Sequence, residues 1–175
     1  MMTRIKLSKY FYADELIDPR TYFNEVNHGI GLIDIHLLDC LDFIREKANK
    51  PLYINTWWKY YDINKDATPL DVIIFNIEEN ASLRKASGFR GKFCNVGAKF
   101  SAHRKGKAAD PKGITPKELE AIVRANTTKL YNLGLRRIED IKITPTWFHL
   151  DTWDKNSTKG IEVVDLKKVV EVISL

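Results

Sequence analysis

The sequence predicts an α+β fold in which helices flank a small antiparallel sheet. Three features lead there: two amphipathic helical segments, a run of β-branched and aromatic residues, and no regular strand-helix-strand rhythm. At 175 residues, 44% hydrophobic and 29% charged, the chain has the size and balance of one globular domain spanning 1–175.

The elements follow in order. From Gly31 to Lys47, the apolar Ile33, Leu37, Leu38, Leu41 and Ile44 recur at helical spacing with Asp34, Asp39, Asp42 and Arg45 between them, which predicts an amphipathic helix. Pro51 stops it, and the alternation of Leu52, Tyr53, Ile54 and Asn55 predicts a short strand. Residues 71–76 fit either a strand or a buried helical turn. Thr115, Pro116 and Glu118 form a capping box: threonine caps, proline fills the first helical position, and glutamate reaches back to the cap amide. Leu119, Ile122 and Val123 carry that helix to near Leu130, and Gly134 ends the connection after it. The segment from Ile141 to Trp153 predicts a strand after Pro145. Leu166, Val169, Val170 and Ile173, behind Asp165 as a cap, predict a C-terminal helix from Asp165 to Ser174.

Charge and composition exclude several classes of function. The net charge of +5 favours approach to a polyanion, but beyond Arg104, Lys105 and Lys107 the basic residues are scattered and form no stripe, so no nucleic-acid partner is expected. No apolar stretch nears the roughly 20 residues of a membrane-spanning helix, so no membrane partner is expected. The opening MMTRIKLSKYFYADEL lacks the apolar run of a signal peptide, which predicts synthesis and folding in the cytoplasm. Cys40 and Cys94 have no CxxC spacing and read as buried free thiols. Trp57, Trp58, Tyr60 and Tyr61 read as core and rim packing, and His28 and His36 as residues without chemistry.

The chemistry concentrates in two stretches. His103 and Asp110 flank Gly106, whose freedom at positive φ lets the chain turn back and bring both side chains to one point. In Trp147-Phe148-His149-Leu150-Asp151, a period of two places Trp147, His149 and Asp151 on one face and the apolar Phe148 and Leu150 on the other. For these ligands to meet, the segments 98–112 and 145–153 must neighbour each other in the sheet. Two imidazoles and a carboxylate are the set that holds a catalytic zinc with one position left open, whereas an all-oxygen set would suit calcium or magnesium.

Ser-x-His-x-x-Gly-x-Ala-x-Asp, from Ser101 to Asp110, resembles the signature of the M15 family of zinc D,D-carboxypeptidases and L,D- or D,D-endopeptidases. The resemblance implies that His103, Asp110 and His149 bind zinc on an M15 or hedgehog-like sheet. Ser87-Gly88-Phe89-Arg90 is similar to the family's Ser-Gly-Tyr-Arg element, which implies that Arg90 meets a substrate carboxylate. KLSKYFYADEL and TPTWFHLDTW are similar to small phage and prophage members, and the motifs together span roughly 85–153. The implied activity is hydrolysis of amide bonds in the stem peptides of bacterial peptidoglycan, after release or as a virion-associated protein. Many members place an acid three residues before the second zinc histidine as general base, but here that position is Thr146. Asp151 is the first candidate for the proton role, followed by Glu139 and Asp140; Asp151 can instead orient a ligating imidazole. Thr146 also supports a second expectation, a non-enzymatic zinc-containing structural or wall-binding protein of a virion.

Overall fold

Local capping chemistry decides where the chain turns helical. The computed structural model describes residues 4–66, 68–92, 94–154, 159–165 and 168–175. Its helices are α1 (Ala13–Leu16), α2 (Pro19–Asn24), α3 (Ile35–Ala48), α4 (Trp58–Asn64), α5 (Leu70–Glu79), α6 (Pro116–Ala125) and α7 (Thr127–Leu133). Asp18 caps α2 by accepting from the Thr21 amide at 3.0 Å, and Asp34 caps α3 by accepting from the His36 amide at 2.9 Å. The capping box at α6 forms as the sequence predicts, with the Thr115 hydroxyl 3.1 Å from the Glu118 amide and the Glu118 carboxylate 2.8 Å from the Thr115 amide. Asn49 and Gly134, both left-handed, end α3 and α7.

The strands β1 (Ala108–Ala109), β2 (Arg137–Glu139), β3 (Leu150–Asp151), β4 (Gly160–Asp165) and β5 (Lys168–Ser174) form one open sheet in the order β1-β3-β2-β4-β5. β1 and β3 pair antiparallel, Ala108 opposite Asp151, which makes neighbours of the two segments carrying the candidate ligands. α3 packs on α6 and α7, and α7 packs on β4. Leu37, Leu41 and Ile44 of α3 share the core with Leu119, Val123, Leu130, Ile138, Leu150 and Ile161. Trp57 is buried in the same core, donating its ring N–H to the Ile17 carbonyl at 2.9 Å, while Trp58, Tyr60 and Tyr61 pack around its rim. His28 stacks on Tyr22, and His36 is exposed. Cys40 and Cys94 are buried free thiols.

Five expectations need correction. The sheet is mixed and not purely antiparallel: β4 runs parallel to β2, because the chain leaving β3 returns on the far side of β2. The predicted C-terminal helix is strand β5, hairpinned onto β4; the β-branched Val169, Val170, Val172 and Ile173 suit a pleated surface, and β4 supplies the ladder for the strand. Asp165 therefore ends β4 and caps nothing, and Leu166 lies outside the described residues. Residues 52–55 make only one bridge, Tyr53 to Lys112, and the long strand predicted before Trp153 shrinks to Leu150–Asp151 because residues 140–147 fold into turns. The open segment 71–76 is helical, inside α5, and the helix predicted to run to Leu130 breaks at Asn126 into α6 and α7.

Gly106 is the tightest point near the candidate ligands. Its φ is +67°, its carbonyl accepts from the Asp34 amide at 3.0 Å, and an added Cβ would overlap the Leu32 carbonyl. Gly106→Ala combines a left-handed penalty of about 1–2 kcal/mol with a backbone overlap that cannot rotate away. Thr115→Ala removes one cap at a solvent-exposed helix start, a loss of about 1 kcal/mol. Thermal denaturation of both variants should show Gly106→Ala as the more destabilised; equal melting points would contradict the close approach.

Candidate metal centre

Each candidate ligand is held by the backbone before any ion is considered. His103 sits in a 3-10 turn, Ala102–Lys105, capped by the Ser101 side chain. Its ring is buried, and its Nδ1 lies 2.8 Å from the Gly88 carbonyl oxygen, which leaves Nε2 facing inward. Asp110 follows β1, anchored by its amide to the Ser87 carbonyl at 2.7 Å. His149 precedes β3, between the buried Phe148 and Leu150, so the period of two holds even though the strand has only two residues.

These three residues converge. Asp110 Oδ1 lies 2.9 Å from His149 Nδ1 and 3.2 Å from His103 Nε2, and the two ring nitrogens are 3.2 Å apart. They are the group among the described residues whose ligand atoms gather closely enough for a metal ion. A tetrahedral ion with bonds of about 2.0–2.1 Å separates its ligand atoms by about 3.3 Å, so the triangle needs only slight opening to accept one. Two imidazole nitrogens and one carboxylate oxygen fit zinc, though this set also suits other divalent transition ions.

The Ser87–Arg90 segment underlies the triad. An added Cβ on Gly88 would overlap the Leu16 carbonyl oxygen, the same atom that accepts from the Phe89 amide at 2.6 Å. The glycine therefore allows the segment to pass between Leu16 and His103. Arg90 lines the cleft, but its guanidinium is engaged, with Nε 2.6 Å from the Ala86 carbonyl and Nη2 3.4 Å from Asp110 Oδ2.

The three candidate acids separate clearly. Asp140 accepts from the Lys142 amide at 2.9 Å and is not among the residues lining the cleft, so it shapes a turn. Asp151 is buried, and both its oxygens are held: Oδ1 by Arg137 Nε at 3.1 Å and the Trp153 amide at 3.0 Å, Oδ2 by Arg137 Nη2 at 2.7 Å. The same Oδ2 lies 3.3 Å from His149 Nε2. Burial pushes the Asp151 carboxyl up, but His149 and Arg137 outweigh it and hold it below the usual range. Glu139 is 8% exposed and lines the cleft, and its carboxylate has no hydrogen-bond partner among the described residues. Burial pushes its carboxyl up. Thr146 contributes only its carbonyl, to Lys112 Nζ.

The cleft has a volume of about 380 Å³, and its walls include Arg90, Arg137, Glu139, Phe100, Trp147 and Trp153 around the triad. Arg104 does not face a ligand; it donates to the Gly91 and Cys94 carbonyls at 2.9 and 2.7 Å, and Lys107 pairs with Asp34 at 3.3 Å. Arg137 is a site residue that the sequence did not reveal. Its signal is its position opposite Asp151 across β2 and β3, which only the register supplies.

His149 lies between two acids, Asp110 and Asp151. Burial lowers the pKa of His149, but hydrogen bonds to Asp110 and Asp151 outweigh it and push it up to about 9, while burial lowers that of His103. In chelator-treated protein at pH 7, nitrogen-15 NMR of the rings should show His149 protonated and His103 neutral. Because the folded pKa of His149 is raised, its stabilisation is complete below an unfolded pKa of about 6.5 and is lost as pH rises through about 9. A neutral His149 at pH 7 in that sample would contradict the arrangement. No protein-family model, curated protein or solved structure matches the chain, so the reading of function rests on these residues and their geometry.

Proposed function

We propose that the chain is a zinc-dependent peptidase of the M15 type that hydrolyses amide bonds in the stem peptides of bacterial peptidoglycan. The observation that carries this reading is the convergence of His103 Nε2, Asp110 Oδ1 and His149 Nδ1 at an open cleft that also holds Glu139, whose carboxylate has no hydrogen-bond partner among the described residues. Zinc held there would polarise a peptide carbonyl and make a water acidic enough to ionise near neutral pH. The remaining work belongs to side chains. Glu139, which lines the cleft beside His149, takes the proton from water and returns it to the leaving amine. Asp151, with both oxygens engaged, fixes the His149 ring and does not act as the base. Arg90 holds Asp110 from behind, and its place in the cleft wall keeps a cation beside any substrate carboxylate that enters.

The proton role thus moves from the position of Thr146 to a neighbouring strand. β2 lies beside β3, and the Glu139 amide donates to the His149 carbonyl at 3.1 Å, which fixes the acid next to the ligand in space. The second reading, a zinc-containing structural or wall-binding protein without activity, is favoured by Thr146, which offers no proton acceptor where the family has one.

Protein purified without chelator should contain zinc near one per chain, and His103→Ala or His149→Ala should abolish it. Glu139→Gln should keep the zinc and lower hydrolysis of purified cell wall about 10²-fold or more. Zinc content unchanged in both histidine variants removes the metal reading. A zinc-loaded wild type inactive on every wall tested establishes the structural reading instead.

A further inference from the structure

We propose that Arg137 is a positioning residue of the metal centre, acting through Asp151 to set the orientation of His149. The inference rests on the zinc reading above and extends it to a residue outside the ligand set. Its basis is a continuous chain of contacts. Arg137 and Asp151 are direct partners across β2 and β3, and the guanidinium meets both carboxylate oxygens, Nε to Oδ1 at 3.1 Å and Nη2 to Oδ2 at 2.7 Å. Asp151 Oδ2 in turn lies 3.3 Å from His149 Nε2. A carboxylate beside Nε2 keeps a proton on that nitrogen and leaves Nδ1, the atom facing Asp110 and His103, as the ligand.

Two features make arginine the fitting residue. Its planar fork matches a carboxylate along two bonds and so fixes the plane of Asp151, whereas a lysine ammonium supplies charge without that plane. β2 is flanked on both sides by β3 and β4, so the backbone carrying Arg137 is pinned and the orientation passes to His149 with little slack. Asp151 is only 2% exposed; without Arg137 its buried charge would lose its bidentate partner and turn toward whatever donor remained.

The test is zinc affinity, measured by competition with a chromophoric chelator, for wild type, Arg137→Met, Arg137→Lys, Asp151→Asn and the double variant Arg137→Met/Asp151→Asn, each checked for folding by circular dichroism and thermal melting. Arg137→Met should weaken zinc binding about 10- to 100-fold, and Arg137→Lys should weaken it less. Because Arg137 acts through Asp151, the double variant should bind no more than about twofold more weakly than Asp151→Asn alone. A folded Arg137→Met or Arg137→Lys protein with wild-type zinc affinity overturns the proposal while leaving the zinc reading intact. Effects of the two single changes that simply multiply also overturn it, since Arg137 would then act independently of Asp151. A wild type that takes up no zinc overturns the zinc reading and the proposal together.

Discussion

The close passage of Gly88 against Leu16 is the constraint on which the rest of the centre depends. With no side chain at that position, the segment lies flat on the α1 backbone, and the Phe89 amide bonds to the Leu16 carbonyl. From there the Ser87 carbonyl receives the Asp110 amide, the Gly88 carbonyl receives the His103 ring, and the Arg90 side chain backs Asp110. This one segment therefore sets two candidate ligands. This explains how strands as short as β1 and β3 can carry a site: the ladder between them aligns the chain, the carbonyl of Ser87 anchors the Asp110 backbone, and that of Gly88 fixes the His103 ring.

Electrostatics reinforce the same geometry. Asp110 and Asp151 are both largely withdrawn from water, a costly state for carboxylates unless each finds charge and donors. Each meets one arginine and the shared His149: Arg90 and His149 for Asp110, Arg137 and His149 for Asp151. A proton on His149, favoured by these two carboxylates, would supply positive charge between them. An ion bound at His149 Nδ1 would displace that proton, so metal affinity and pH are linked through this ring. Glu139 stands apart because no arginine answers it among the described residues, whereas Asp110 and Asp151 each meet one.

The sheet shows the same division between local and distant forces. β4 and β5 form the longest pairing, yet they lie at the edge away from β1, and β5 exposes Val169 and Val170. The site hangs on the shorter strands because these sit where helix caps, turns and the 87–90 segment converge.

Much of this was legible in the sequence alone. Gly106 between His103 and Asp110, the alternation around His149, the capping box at Thr115 and the helical period before Lys47 are local signals, and the structure follows each of them, because backbone freedom, side-chain period and caps act within a few residues. Other features depended on partners distant in sequence. The C-terminal segment carried helical spacing, but pairing with β4 made it a strand; the parallel contact of β2 with β4 depended on the route of the chain after β3. The roles of the acids were also beyond local reading. Register places Arg137 opposite Asp151, and Glu139 lies beside His149 because β2 pairs with the strand that follows His149. Ligand types and turns are written in neighbouring residues, whereas which carboxylate meets an arginine is decided by residues that only the folded chain brings into contact.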